Sequence, residues 1–192
     1  LAGIEYHIFR ITRRLRNFPI NPLSIASSKK IFGEYFKGFD KVPAVRGIFG
    51  EKTSEVLNNL TVELSWFNGY MYVDGSDGRL VISRSYLTRG NKTDIYLDLI
   101  HELYHVKQFM EGRELFDPRY TYVDRETEIE AYRYTVREAR RLGLSEERIR
   151  LYLKTEWLNE EDHQRLVNHV NSVVSDKPQA SSVRKDPMRN FQ

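Results

Sequence analysis

The stretch IYLDLIHELYHVKQFMEG, residues 95–112, constrains this chain more than any other. It places His101, Glu102, Leu103, Tyr104 and His105, an H-E-x-x-H pattern, inside a run of helical periodicity. At 3.6 residues per turn, His101 and His105 leave one face of a helix one turn apart, with Glu102 beside them. Two imidazoles so placed suit a zinc ion, and a catalytic zinc site has three protein ligands with one position left for water or substrate. Glu102 would take a proton from that water and hand it to a leaving amine. Ile95, Leu99, Ile100, Leu103, Val106 and Met110 supply an apolar stripe, Thr93 and Asp94 offer a cap, and Gly112 a stop.

The rest of the composition says where such a helix can operate. The chain has 192 residues, enough for one domain with a sizeable core. Its 40% hydrophobic and 30% charged content fits a water-soluble protein, and no apolar run is long enough to span a bilayer. Cysteine is absent, which excludes disulfides and thiolate ligands and makes a cytoplasmic location the expectation. Leu1 is followed by no signal-peptide pattern, which reads as a trimmed start. The net charge of +3 is unevenly spread: through Arg46, nine Lys or Arg face three acidic residues. A basic N-terminal quarter suits either a solvated helix face or a surface for nucleic acid or an acidic partner.

In order along the chain, residues 4–18 put Ile4, Ile8, Ile11 and Leu15 at helical spacing, and residues 24–38 read as a second helix. From Val42 the pattern changes to short segments punctuated by glycine, VRGIFG, TVELSWF, GYMYVDG and GRLVISRSYL, which predict two to four antiparallel strands with a hairpin turn at residues 76–78. Beyond the H-E-x-x-H helix, Asp124 is placed to cap a helix over 125–142 that stops at Gly143, and Ser145 and Asn159 to cap two more. Residues 175–192 form a polar tail. The expected fold class is α+β: N-terminal helices, a small antiparallel or mixed sheet, the H-E-x-x-H helix, a glutamate-rich helix and C-terminal helices. One domain covers 1–174, with a helical part over 1–41, a central part over 42–143 and helices over 144–174.

Two histidines leave a zinc site short of a ligand. Glu126, Glu128, Glu130, His163 and His169 are the candidates. With Ile129, Tyr132, Val136 and Ala139 marking a buried stripe, Glu128 lies about 60° from its centre, Glu126 about 100° and Glu130 about 140°. Glu128 is the one able to face the core.

HELYHVKQF followed by ETEIEAY resembles the zincin metallopeptidases, specifically the gluzincin branch, across roughly residues 78–142. The small scaffolds called minigluzincins and the HtpX-like and ImmA/IrrE-type proteins share this arrangement. The resemblance implies a zincin-like core over 42–143, Zn²⁺ as cofactor, His101, His105 and Glu128 as its ligands and Glu102 as the catalytic residue. Tyr132 departs from the pattern, since those families often have Asp or Asn there.

The implied activity is zinc-dependent hydrolysis of a peptide or protein substrate, as an endopeptidase rather than an exopeptidase, with the edge of the sheet holding an extended substrate. Tyr122, Arg125, Tyr132, Tyr134 and His163 are the candidates for stabilising an oxyanion. A tail anchored by Met188 and Phe191 in the substrate groove would make the enzyme latent. Two rivals remain at this stage. One is a regulatory module that uses its basic N-terminal helices on nucleic acid or a protein partner; the other is a structural zinc site closed by His163.

Overall fold

A four-stranded mixed sheet and the helices packed on it make up an α+β arrangement in the computed structural model, which describes residues 29–66 and 68–172. The strands are β1 (Lys29–Ile31), β2 (Thr61–Ser65), β3 (Met71–Val73) and β4 (Leu80–Ser83), in the spatial order β1-β2-β4-β3. The helices are α1 (Phe32–Tyr35), α2 (Pro43–Phe49), α3 (Thr53–Asn59), α4 (Arg84–Arg89), α5 (Lys92–Met110), α6 (Glu126–Arg141), α7 (Glu146–Tyr152) and α8 (Glu160–Asn171). The helix expected over 4–18 and the polar tail over 175–192 lie outside the described residues. Among the described residues, no helix is long and apolar enough to cross a membrane.

The sheet is not purely antiparallel. β3 and β4 form the expected hairpin, but β4 returns between β3 and β2 and so runs parallel to β2. Enclosed on both sides, β4 is buried at every position, as its unbroken LVIS run allows. The connection between β3 and β4 spans residues 74–79. Asp74 holds it by accepting from the Ser76 amide at 2.9 Å, while Gly78 donates back to the Asp74 carbonyl at 2.8 Å.

The sequence reading of two segments is corrected. Residues 29–31, read as helix, pair with β2 as a strand, because their main chain finds partners at Thr61–Glu63. VRGIFG, read among the strand segments, belongs to α2: Pro43 starts that helix, and Gly47 admits the Tyr134 hydroxyl, which would lie 2.3 Å from an added Cβ. The Tyr134 hydroxyl donates to the Ala44 carbonyl at 2.6 Å.

Helix α5 runs through the middle of the core. Ile95, Leu97, Leu99, Ile100, Leu103 and Val106 are all buried, on more than one side of the helix, because the sheet, α2 and α6 surround it. Met110 is the exception in the expected stripe, being 56% exposed at the last turn. Asn91 caps the helix, not Thr93 or Asp94: its side chain accepts from the amides of both. Gly112 ends it in the left-handed region, φ 74°. Asp124 likewise does not cap α6; it lies in a short 3-10 turn and binds Thr121, Arg165 and His169 instead. Ser145 and Asn159 cap α7 and α8 as the sequence predicts.

The hairpin loop and α5 meet at Gly78, which has φ 74° and would place a Cβ 2.5 Å from the Phe109 ring. Gly78→Ala is therefore expected to lose about 1 to 3 kcal/mol of stability. Denaturant unfolding checks this, and an unshifted midpoint would contradict it.

Candidate metal centre

Helices α5 and α6 pack along each other and bring three ligand atoms to one point. His101 Nε2 and His105 Nε2 are 2.9 Å apart, and Glu128 Oε2 lies 3.2 Å from the first and 3.4 Å from the second. All three residues are buried and form a group able to hold a metal ion. A tetrahedral ion with ligands at about 2.0–2.1 Å requires ligand atoms about 3.3 Å apart. The observed triangle matches. Glu128 Oε2 forms no hydrogen bond despite being buried, which leaves its lone pairs available to an ion. The donor set fits a divalent ion.

Local sequence explains why Glu128 rather than its neighbours faces the histidines. The buried face of α6 runs through Thr127, Glu128, Ala131, Tyr132, Thr135 and Ala139, which leaves Ile129 half-buried and turns Glu128 inward. The Glu126 side chain is 80% exposed. Glu128 also lies in the first turn of α6, where the positive end of the helix dipole favours a carboxylate.

Glu130 has a different role. The His105 Nδ1 atom lies 2.8 Å from Gln108 Oε1, and Gln108 Nε2 donates to the Thr127 carbonyl at 3.0 Å and to Glu130 Oε2 at 2.9 Å. Because the Gln108 amide nitrogen is committed to two acceptors, its oxygen must accept, so His105 carries a proton on Nδ1, which leaves Nε2 as the atom that would meet an ion. Arg113 completes the chain by pairing with Glu130. His101 has no equivalent support: its Nδ1 is buried without a partner, and the ring of Tyr132 lies against it at 4.3 Å.

The buried charges press on one another. Burial would lower His105, but the Glu128 carboxylate and its contact raise it to about 9. Burial together with the charge on His105 lowers His101. In Glu128, burial is outweighed by His105 and His101, and the carboxyl falls well below its usual range. Burial lifts Glu102 to about 8, opposed by the charge on His105 and by a hydrogen bond from the Val73 amide.

These groups open into a cavity of about 640 Å³, lined by β3, α5, the loop at Leu115 and Phe116, and the α7–α8 connection. Strand β3 is the sheet edge on this side. The Tyr70 carbonyl accepts from Ser83 and the Asp74 amide donates to Arg79, so even-numbered residues bond to β4. Met71 and Val73 therefore present their main-chain groups to the open side, where the Val73 amide meets Glu102.

Of the five residues considered for an oxyanion, Tyr122 and Tyr132 line this cavity, with their hydroxyls 2.7 Å apart. Tyr134 is committed to Ala44 and Arg125 does not line the cavity. His163 is buried between α7 and α8 with Nε2 3.1 Å from the Arg150 carbonyl, and His169 lies on Asp124. Neither reaches the metal group, which leaves its fourth side to the cavity. Gln108 and Asp98 escaped the sequence reading. Both are polar and lie three residues from a histidine on its own helical face, Gln108 after His105 and Asp98 before His101, and that spacing is the signal that could have found them.

Comparison of the chain with protein-family models, with curated proteins and with solved structures gives no match in any of the three.

Two substitutions separate ligands from supporting residues. With zinc as the probe ion, Glu128→Gln is expected to weaken metal binding by roughly 100-fold or more, and Gln108→Leu by about 10- to 100-fold. Glu126→Gln should leave it unchanged. Competition against a chromophoric chelator gives these affinities; a loss in Glu126→Gln equal to that in Glu128→Gln would contradict the assignment.

Proposed function

We propose that this protein is a zinc-dependent peptidase of the gluzincin kind, acting on extended peptide segments. The observation that carries the reading is the triangle of His101, His105 and Glu128, with Glu102 beside it and an open strand edge along the same cavity. Zinc is the ion favoured by two imidazoles and one carboxylate in a buried, roughly tetrahedral set. When bound, it supplies Lewis acidity toward water and a peptide carbonyl.

The chain's own residues supply the remaining steps. The main-chain groups of Met71 and the Val73 carbonyl, which face away from β4, pair with an extended substrate as an added strand, which lays the scissile bond along the cavity floor. Glu102, held by the Val73 amide, takes a proton from the attacking water and passes it to the departing amine nitrogen. The Tyr122–Tyr132 hydroxyl pair is the donor available in the cavity for a carbonyl oxygen that gains negative charge.

Glu102→Gln tests the division of labour. Peptide cleavage should fall by at least about 10²-fold while zinc content stays at the wild-type level, because the residue moves protons and does not bind the ion. Zinc loss as large as that of His101→Ala would contradict the role given to Glu102.

A further inference from the structure

Asp98 lies three residues before His101 on α5, on the face that lines the cavity. Its two oxygens receive the hydroxyls of Tyr86 and Tyr152, the second at 2.8 Å. These contacts hold the carboxylate in place without neutralising it. Each carboxylate oxygen can accept two hydrogen bonds, so about half of its accepting capacity is left. No lysine or arginine pairs with it among the described residues. Arg148 lines the same cavity but is bound to Asp94, and Lys154 is bound to Glu160.

The surroundings of Asp98 are aromatic. Tyr86 meets Tyr70 edge-on at 4.8 Å, and Tyr70 lies 5.8 Å from Trp157, whose 57% exposure puts it at the cavity rim. The Tyr70 hydroxyl in turn faces the Glu156 carboxylate. The Thr155 hydroxyl, in the same wall, is shut off from solvent and has no hydrogen-bond partner. A carboxylate with no basic partner, in a cavity walled by aromatic rings, is an arrangement that attracts an organic cation: the rings favour positive charge over their faces, and the carboxylate supplies acceptors.

We propose that Asp98 is the specificity residue of a cation-accepting subsite, so that the cleft selects substrates with an ammonium or guanidinium group close to the bond held at the metal group. This rests on the peptidase reading of the cleft and adds the class of substrate to it. The cation has two sources, a basic side chain or the substrate's own N-terminal amine. A side chain would make the enzyme prefer basic residues at one position; an N-terminus would make it trim chain ends.

Direct binding tests this without relying on cleavage. The zinc-loaded full chain is titrated with N-acetyl-arginine amide and with N-acetyl-citrulline amide, its neutral isostere, followed by tryptophan fluorescence. A second pair, leucine amide and N-acetyl-leucine amide, asks the same of a free N-terminal amine. At least one charged probe should bind about tenfold or more tightly than its neutral counterpart, and the pair that does so names the source. Asp98→Asn should bring that ratio to within about twofold, whereas Asp98→Glu should keep most of it. Equal affinities within both pairs in the wild type, or a preference that survives in Asp98→Asn, would overturn the subsite. If Asp98→Asn does not fold, the wild-type ratios and Asp98→Glu decide. A cleft that discriminates charge but cuts no peptide would refute the peptidase reading alone, and one that cuts without discriminating would refute the subsite alone.

Discussion

The packing of α5 on α6 is the constraint on which the rest of the structure depends. It forces two imidazoles and a carboxylate within van der Waals distance of one another, away from water. A protein interior tolerates such a group only if the polar atoms are held by hydrogen bonds, or by an ion that draws on their lone pairs. Here the first device serves one side of the group, and the other side offers the place for the second. The chain Arg113–Glu130–Gln108–His105 secures one side, and the convergent Nε2 and Oε2 atoms leave the other side for a cation.

The rest of the fold serves that pair of helices. The sheet covers one flank of α5 and places an open edge at the mouth of the site, because β4 takes the central position and leaves β3 outermost. Helix α2 backs α5 from another side, and Tyr134 fixes α6 to it through Gly47. Helix α7 contributes the Tyr152 hydroxyl that holds Asp98, and α8 closes on α6 through Arg133, which donates to the His169 carbonyl. Buried side-chain atoms of His101, Glu128 and Thr155 that have no hydrogen-bond partner all belong to residues lining this one cavity.

Much of this was legible in the sequence, for physical reasons that differ by element. The H-E-x-x-H spacing could be read because helical periodicity is a local property, and the choice of Glu128 over Glu126 and Glu130 followed from helical phase alone. Strand order could not be read. The parallel pairing of β2 with β4 depends on where the hairpin returns, which is a property of the whole sheet, and Lys29–Ile31 become strand only because Thr61–Glu63 are there to pair with them. VRGIFG looked extended since two glycines weaken a helix, yet Pro43 begins one and Gly47 is needed for the approach of Tyr134. Cap assignment failed where two candidates stood close together: Asn91 could serve Thr93 and Asp94 at once, and Asp124 found better partners in Arg165 and His169. Gln108 and Asp98 were overlooked since a polar residue in an apolar helix declares its role only when its partner is known.

The central claim is that one bound zinc ion per chain makes this cleft cut peptides. Protein stripped of metal and back-titrated with zinc against a broad peptide library tests it most directly, with cleavage followed by mass spectrometry. Cleavage should be absent without metal and should rise in proportion to zinc up to a plateau at one ion per chain. Cleavage that persists in the stripped protein, or none at any zinc level, would contradict the account.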